Sequence, residues 1–177
     1  MSEVDFMTSL HKETTRDYLG RVNDSEYPKD KAATLAKKWG QEYWDGDRRI
    51  NYGGYKYIEG RWSGVANAML DYYKLGPCPK ILDVGCGKGF LLFELLNICP
   101  GAEVSGLDIS EYAIDQSPLT VRDQLQVGHA NRLPWSDNHF DLVISINTLH
   151  NLFYYELDVS LNEIERVGRQ ADSEPVR

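Results

Sequence analysis

The chain has 177 residues, enough for one domain with a sizeable core, and its 42% hydrophobic and 26% charged residues are an ordinary globular mixture. A net charge of -8 gives no electrostatic footprint for nucleic acid or an anionic membrane, and no run of about 18 apolar residues is present to span a bilayer. Three cysteines without metal-ligand spacing (Cys78, Cys86, Cys99) and an acidic N-terminus point to a soluble cytoplasmic protein with reduced thiols and no metal.

Residues 1–28 are polar and mixed in charge, consistent with a loose arm or a short helix. Residues 29–39 read as a helix, with Ala32, Ala33, Leu35 and Ala36 among lysines and Gly40 closing it. From 39 to 62 aromatic residues are dense and glycines break any regular period. Two readings stand for this stretch. It is a loop packing its rings on the domain surface, or a lid over a bound ligand in which Tyr52 and Tyr55, flanking Gly53 and Gly54, make the contacts. Arg48, Arg49 and Arg61 are either solvated or placed for an anionic substrate. A second helix is expected over 62–75, carrying Val65, Ala66, Met69 and Leu70 on one side, before Gly76 and Pro77 end it.

Residues 80–90, KILDVGCGKGF, organise everything else. A short apolar run ends in Asp83, breaks into three alternating glycines (Gly85, Gly87, Gly89) and resumes as a periodic apolar segment, which spells strand, tight turn and helix. Residues 102–109 read as the next strand, with Asp108 at its carboxyl end. Ligands of open parallel sheets lie outside that end, and a carboxylate there can accept hydrogen bonds from ribose hydroxyls. The glycine spacing is G-x-G-x-G and departs from the G-x-G-x-x-G of dinucleotide sites. Asp83 would also repel a pyrophosphate but suit a cationic ligand, which leaves a nicotinamide dehydrogenase as a distant reading.

Ser110 is a good N-cap for a short helix to about residue 116. A third strand is expected over 125–130 and a fourth over 138–147, whose carboxyl end brings Asn147 and His150 beside the glycine turn. A last helix follows, with Leu157, Leu161, Ile164 and Val167 in register and Gly168 as its stop.

On the glycine motif and Asp108, residues 75–168 resemble the class I S-adenosylmethionine-dependent methyltransferases, of the broad type 11 group that acts on small molecules. The resemblance implies an α/β, Rossmann-like open parallel sheet of order 3-2-1-4. It divides the chain into an N-terminal helical and aromatic lid segment (1–75), a cofactor-binding core (76–168) and a polar tail (169–177). It implies that Asp83 orients the methionine end of the cofactor, that Gly85, Cys86, Gly87 and Gly89 line it, and that Tyr52 and Tyr55 cover it. Asp108 would hold the ribose and Ile109 would pack on adenine, near Ala130 and Asn131. His129 stands where the family carries an acidic residue for the adenine amino group, and is either an imidazole acceptor in its place or a plain surface histidine. His150 is the candidate general base for a hydroxyl acceptor, or merely a cap.

The family fold normally continues with further strands, while residues 169–177 are polar and unlike a strand. The chain is therefore expected to be truncated, with an apolar edge strand that invites pairing with a second copy. The expected function is methyl transfer from S-adenosylmethionine to a small-molecule acceptor, a sugar or another hydroxylated metabolite. The alternative is a protein on the same fold that only binds the cofactor or a partner.

Overall fold

The computed structural model describes residues 4–8, 10, 18–22 and 24–169. Four helices come first: α1 (Tyr18–Val22), α2 (Lys29–Ala36), α3 (Gln41–Trp44) and α4 (Ser63–Tyr72). Helix α2 stops short of the expected residue 39, where Trp39 takes a left-handed φ of 52° that no helix continues through. Helix α3 is a single turn that the glycine-broken aromatic stretch did not announce.

Strand β1 (Lys80–Val84) then leads through the glycine turn into α5 (Phe90–Ile98), and β2 (Glu103–Asp108) follows. Two short helices, α6 (Glu111–Asp115) and α7 (Leu119–Arg122), precede β3 (Leu125–Val127). Ser110 caps α6 as expected, its Oγ accepting the Ala113 N–H at 3.0 Å. Strand β4 (Leu142–Ile144) and α8 (Tyr154–Val167) complete the described chain.

All four strands are parallel in the order β3-β2-β1-β4, with Ile81 opposite Val104 and Leu142, and Gly106 opposite Leu125. This is the Rossmann-like sheet the resemblance implied. Successive β1 residues point to opposite faces, so Ile81 packs with Val65, Ala66, Leu91 and Leu95 while Leu82 and Val84 pack with Leu107, Phe140 and Val167. The sheet thus has a core on each side, and only its carboxyl edge is left for a ligand.

Strand β4 is shorter than the expected 138–147. Asn138 and Asn147 both take positive φ, 55° and 54°, which breaks extended pairing at each end. The N–H groups of Asn138 and Phe140 bond instead to the Arg166 and Val167 carbonyls, and Phe140 forms a parallel bridge with Gly168. The approach to β4 is therefore paired on its outer side. Residues 170–177, most of the expected tail, lie outside the described residues, as does part of the expected N-terminal arm. No helix among the described residues is long and apolar enough to cross a membrane.

Candidate cofactor site

The floor of the site is the glycine turn. Its first two amides, Gly85 and Cys86, both donate to the Leu107 carbonyl, at 2.7 and 3.2 Å, which ties the turn to β2. Asp108 closes the other side: one carboxylate oxygen accepts the Gly87 N–H and the other the Ser110 N–H, both at 2.8 Å. Gly85 and Gly87 need φ of 84° and 55°, and neither has room for a side chain. A Cβ on Gly85 would collide with the Thr148 side chain, and one on Gly87 would lie 2.8 Å from the Trp44 ring. The element pressing on the turn is thus an aromatic side chain of the protein itself.

That side chain belongs to a roof built from residues 39–62. Trp44 and Tyr52 stack at 5.2 Å with their planes 3° apart, and Tyr43 and Tyr55 pack against both rings. Two polar anchors hold the roof down. Ser110 donates to the Trp39 carbonyl and accepts the Trp44 indole N–H at 2.8 Å. Lys88, buried within the glycine motif, reaches both oxygens of Asp45 (2.8 and 2.7 Å) and the Tyr55 carbonyl (2.8 Å). Burial would raise the Asp45 carboxyl, but its bonds from Lys88 and Tyr112 outweigh that and hold it below the usual range.

Two cavities lie between floor and roof, of about 370 and 170 Å³, sharing Trp44, Tyr52, Gly85, Ile146 and Asn147 in their walls. Asp108, Ile109, His129 and Ala130 line the larger, while Asp83, Cys86, Gly87 and Tyr55 line the smaller. The two aspartates differ. Asp108 is raised by burial, against the pull of the Ser110, Gly87 and Ile109 amides. Asp83 is fully buried, and its Oδ1 finds no hydrogen-bond partner among the described residues. Burial first, and then the charge of Asp108, push it up to about 7. Burial first, and then the charges of Asp83 and Asp108, also raise the Cys86 thiol.

Of the expected site residues, ten line one cavity or both: Tyr52, Tyr55, Asp83, Gly85, Cys86, Gly87, Asp108, Ile109, His129 and Ala130; Asn147 makes an eleventh. Gly89, Asn131 and His150 do not. Gly89 serves packing, since a Cβ there would lie 2.9 Å from Leu125. Asn131 donates its backbone N–H to His129 Nδ1 at 3.4 Å. His150 is exposed on the 3-10 turn Leu149–Asn151 and lines neither cavity, while its neighbour Asn151 lines the larger one. Among the arginines, Arg49 is engaged by Asp24, Glu26 and Asp47 and Arg48 by loop carbonyls, leaving Arg61 in the smaller cavity's wall.

Sequence reasoning did not single out Trp44, Thr148 or Glu156. Trp44 stood in the aromatic run without a mark to set it apart. Glu156 is a first-turn carboxylate of α8, and it lies 3.6 Å from His129 and lines the larger cavity.

Similarity to known proteins agrees with this geometry. A family described as a methyltransferase domain matches residues 82–171. The chain is 31% identical over 108 residues to a malonyl-[acyl-carrier protein] O-methyltransferase of Legionella pneumophila, covering 55% of this chain and 35% of the relative. It is 33% identical over 116 residues to a demethylmenaquinone methyltransferase of Symbiobacterium thermophilum, covering 61% and 45%. It thus spans less than half the length of these curated relatives. Among solved structures, the PH0226 protein of Pyrococcus horikoshii superposes with a TM-score of 0.55 at 30% identity, covering 73% of this chain and 58% of that one. A methyltransferase from an antibiotic biosynthesis pathway of Anabaena variabilis gives 0.51 at 28%, covering 59% and 41%. The match over half of its residues, on a sheet and turn of this form, places the chain in the methyltransferase domain family, whose cofactor is S-adenosylmethionine.

Proposed function

We propose that this chain holds S-adenosylmethionine across the two adjoining cavities and serves methyl transfer to a small-molecule acceptor. The observation that carries the reading is Asp83, a buried carboxylate with an unpartnered oxygen in the wall of the smaller cavity. Such a group is costly unless a ligand supplies a donor or a positive charge, and the cofactor carries both at its methionine end. Asp108, a carboxylate with about four acceptor sites, keeps capacity for a ribose hydroxyl beside its backbone bonds.

Bound there, the cofactor supplies an electrophilic methyl group on a sulfonium. The chain's own contribution is alignment and the exclusion of water, by Trp44, Tyr52 and Tyr55 above and the glycine turn below. We assign no general base, because His150 lies outside the cavity walls. A net charge of -8 disfavours nucleic acid as acceptor, and the demethylmenaquinone methyltransferase named above bears the name of a small-molecule acceptor.

Calorimetric titration with S-adenosylhomocysteine, with NADH as control, tests the reading. Saturable binding of the former alone is expected, and Asp108→Ala should weaken it by about 1–3 kcal/mol, the scale for hydrogen bonds to a charged group. A folded wild-type protein that binds neither, or a folded Asp108→Ala variant with unchanged affinity, would sink the assignment.

A further inference from the structure

We infer that Glu156, on the first turn of α8, is the residue that selects adenine as the cofactor's base, and that His129 positions it. The inference rests on the methyltransferase reading above and assigns a specificity role to a side chain outside the sheet. Its starting point is that both nitrogens of His129 already have neighbours. Nδ1 accepts the Asn131 backbone N–H at 3.4 Å, so the ring proton sits on Nε2. Nε2 then faces Glu156 Oε1 at 3.6 Å. In that tautomer His129 has no lone pair left for the amino group of a purine, which is a donor.

Glu156 has what His129 lacks. Its Oε2 accepts the Phe153 N–H at 3.1 Å, a back-bond to the N-cap residue of α8. Its Oε1 has His129 Nε2 beyond hydrogen-bond length, and Glu156 lines the larger cavity together with Ile109, Ala130 and Leu152. A flat base held among those apolar groups meets one carboxylate oxygen fixed from behind by a helix cap and steered from the side by an imidazole N–H. A carboxylate only accepts hydrogen bonds. It therefore favours the 6-amino group of adenine over the 6-oxo group of hypoxanthine, whose lone pairs would face it.

The test compares S-adenosylhomocysteine with S-inosylhomocysteine, its 6-oxo analogue, by calorimetry on the whole chain. Wild type should prefer the adenosyl ligand by about tenfold to a hundredfold, the range for a hydrogen bond to a charged group. Glu156→Gln keeps the cap, because the amide oxygen can still accept the Phe153 N–H, and turns an amide donor toward the base. The preference should then collapse or reverse, an outcome that a purely structural role for Glu156 would not produce. His129→Leu should narrow the preference and His129→Gln, which retains a donor toward Glu156, should restore it. Equal binding of the two ligands by wild type, or an unchanged ratio in Glu156→Gln, overturns the inference while leaving the cofactor assignment intact. If neither ligand binds a folded wild-type protein, the cofactor assignment falls and this inference falls with it.

Discussion

The floor and the roof of the site are built by opposite means. The floor runs from β1 through the glycine turn to Ser110, and its decisive bonds join residues close in the chain, such as Gly87 to Asp108 across 21 positions. The roof reaches its anchors over far longer separations: 43 residues from Lys88 to Asp45, 66 from Trp44 to Ser110 and 67 from Tyr112 to Asp45. The floor is a strand-turn-helix written in one short motif and tied to the next strand. The roof has little regular structure of its own and exists only where the floor offers it partners. Local sequence rules therefore govern one wall of the site, and tertiary contacts govern the other.

The largest effect that would probe this difference is expected at Lys88. Its ammonium is buried and its three bonds all go to the roof. Lys88→Met removes one partner of a largely buried pair, a change that costs roughly 3–5 kcal/mol. The cost should fall at the low end of that range, because Asp45 is partly exposed and keeps the Tyr112 hydroxyl and Tyr55 amide as donors. Proteolysis should then cut first within 39–62 while the sheet keeps its circular dichroism. If floor and roof instead unfold together in one transition, the two walls are a single cooperative unit and do not differ in what holds them.

A second test isolates the floor. The folded carboxyl of Asp83 is raised to about 7, by burial first and the Asp108 charge second, with Cys86 and Tyr55 as its other titratable neighbours. A raised acid favours the folded state below its unfolded value, and that contribution is lost as pH rises from about 4 to about 7. Cofactor binding should run the other way. A cationic ligand needs the ionised form, so affinity for S-adenosylmethionine should grow about tenfold between about pH 6 and about pH 8. Titrations in buffers of different ionisation enthalpy should show a proton released on binding below neutrality. Asp83→Asn should flatten both trends, and a flat wild-type profile would remove Asp83 from the role given to it.

These contrasts explain what was readable beforehand. The sheet order, the glycine turn and both aspartates follow from short motifs whose geometry is nearly fixed by backbone chemistry. Strand β4 was overestimated because its apolar run continues through residues whose ends are set by Asn138 and Asn147 in left-handed conformations, which hydrophobic pattern does not record. Counting along that longer strand puts His150 near the turn, whereas it is exposed on a 3-10 turn and lines neither cavity. Trp44 and Glu156 were invisible for a different reason. Trp44 is held by Ser110, and Glu156 meets His129, each a residue far away in sequence.

The smallest effect, and the most direct link between the walls, is at Ser110. It belongs to the floor by position, directly after Ile109 at the end of β2, yet its hydroxyl serves both walls at once. Toward the floor it caps α6 through the Ala113 N–H; toward the roof it accepts from Trp44 and donates to Trp39. Loss of an N-cap alone costs about 1 kcal/mol. If the hydroxyl is only a cap, Ser110→Ala and Trp44→Phe will have additive effects on stability. If it couples the walls, Trp44→Phe should cost less in the Ser110→Ala background, because the indole N–H has already lost that acceptor. A coupling of about 0.5 kcal/mol or more in this double-mutant cycle is the expected result. It would mean that the floor, once folded, selects the position of the roof through a single buried oxygen.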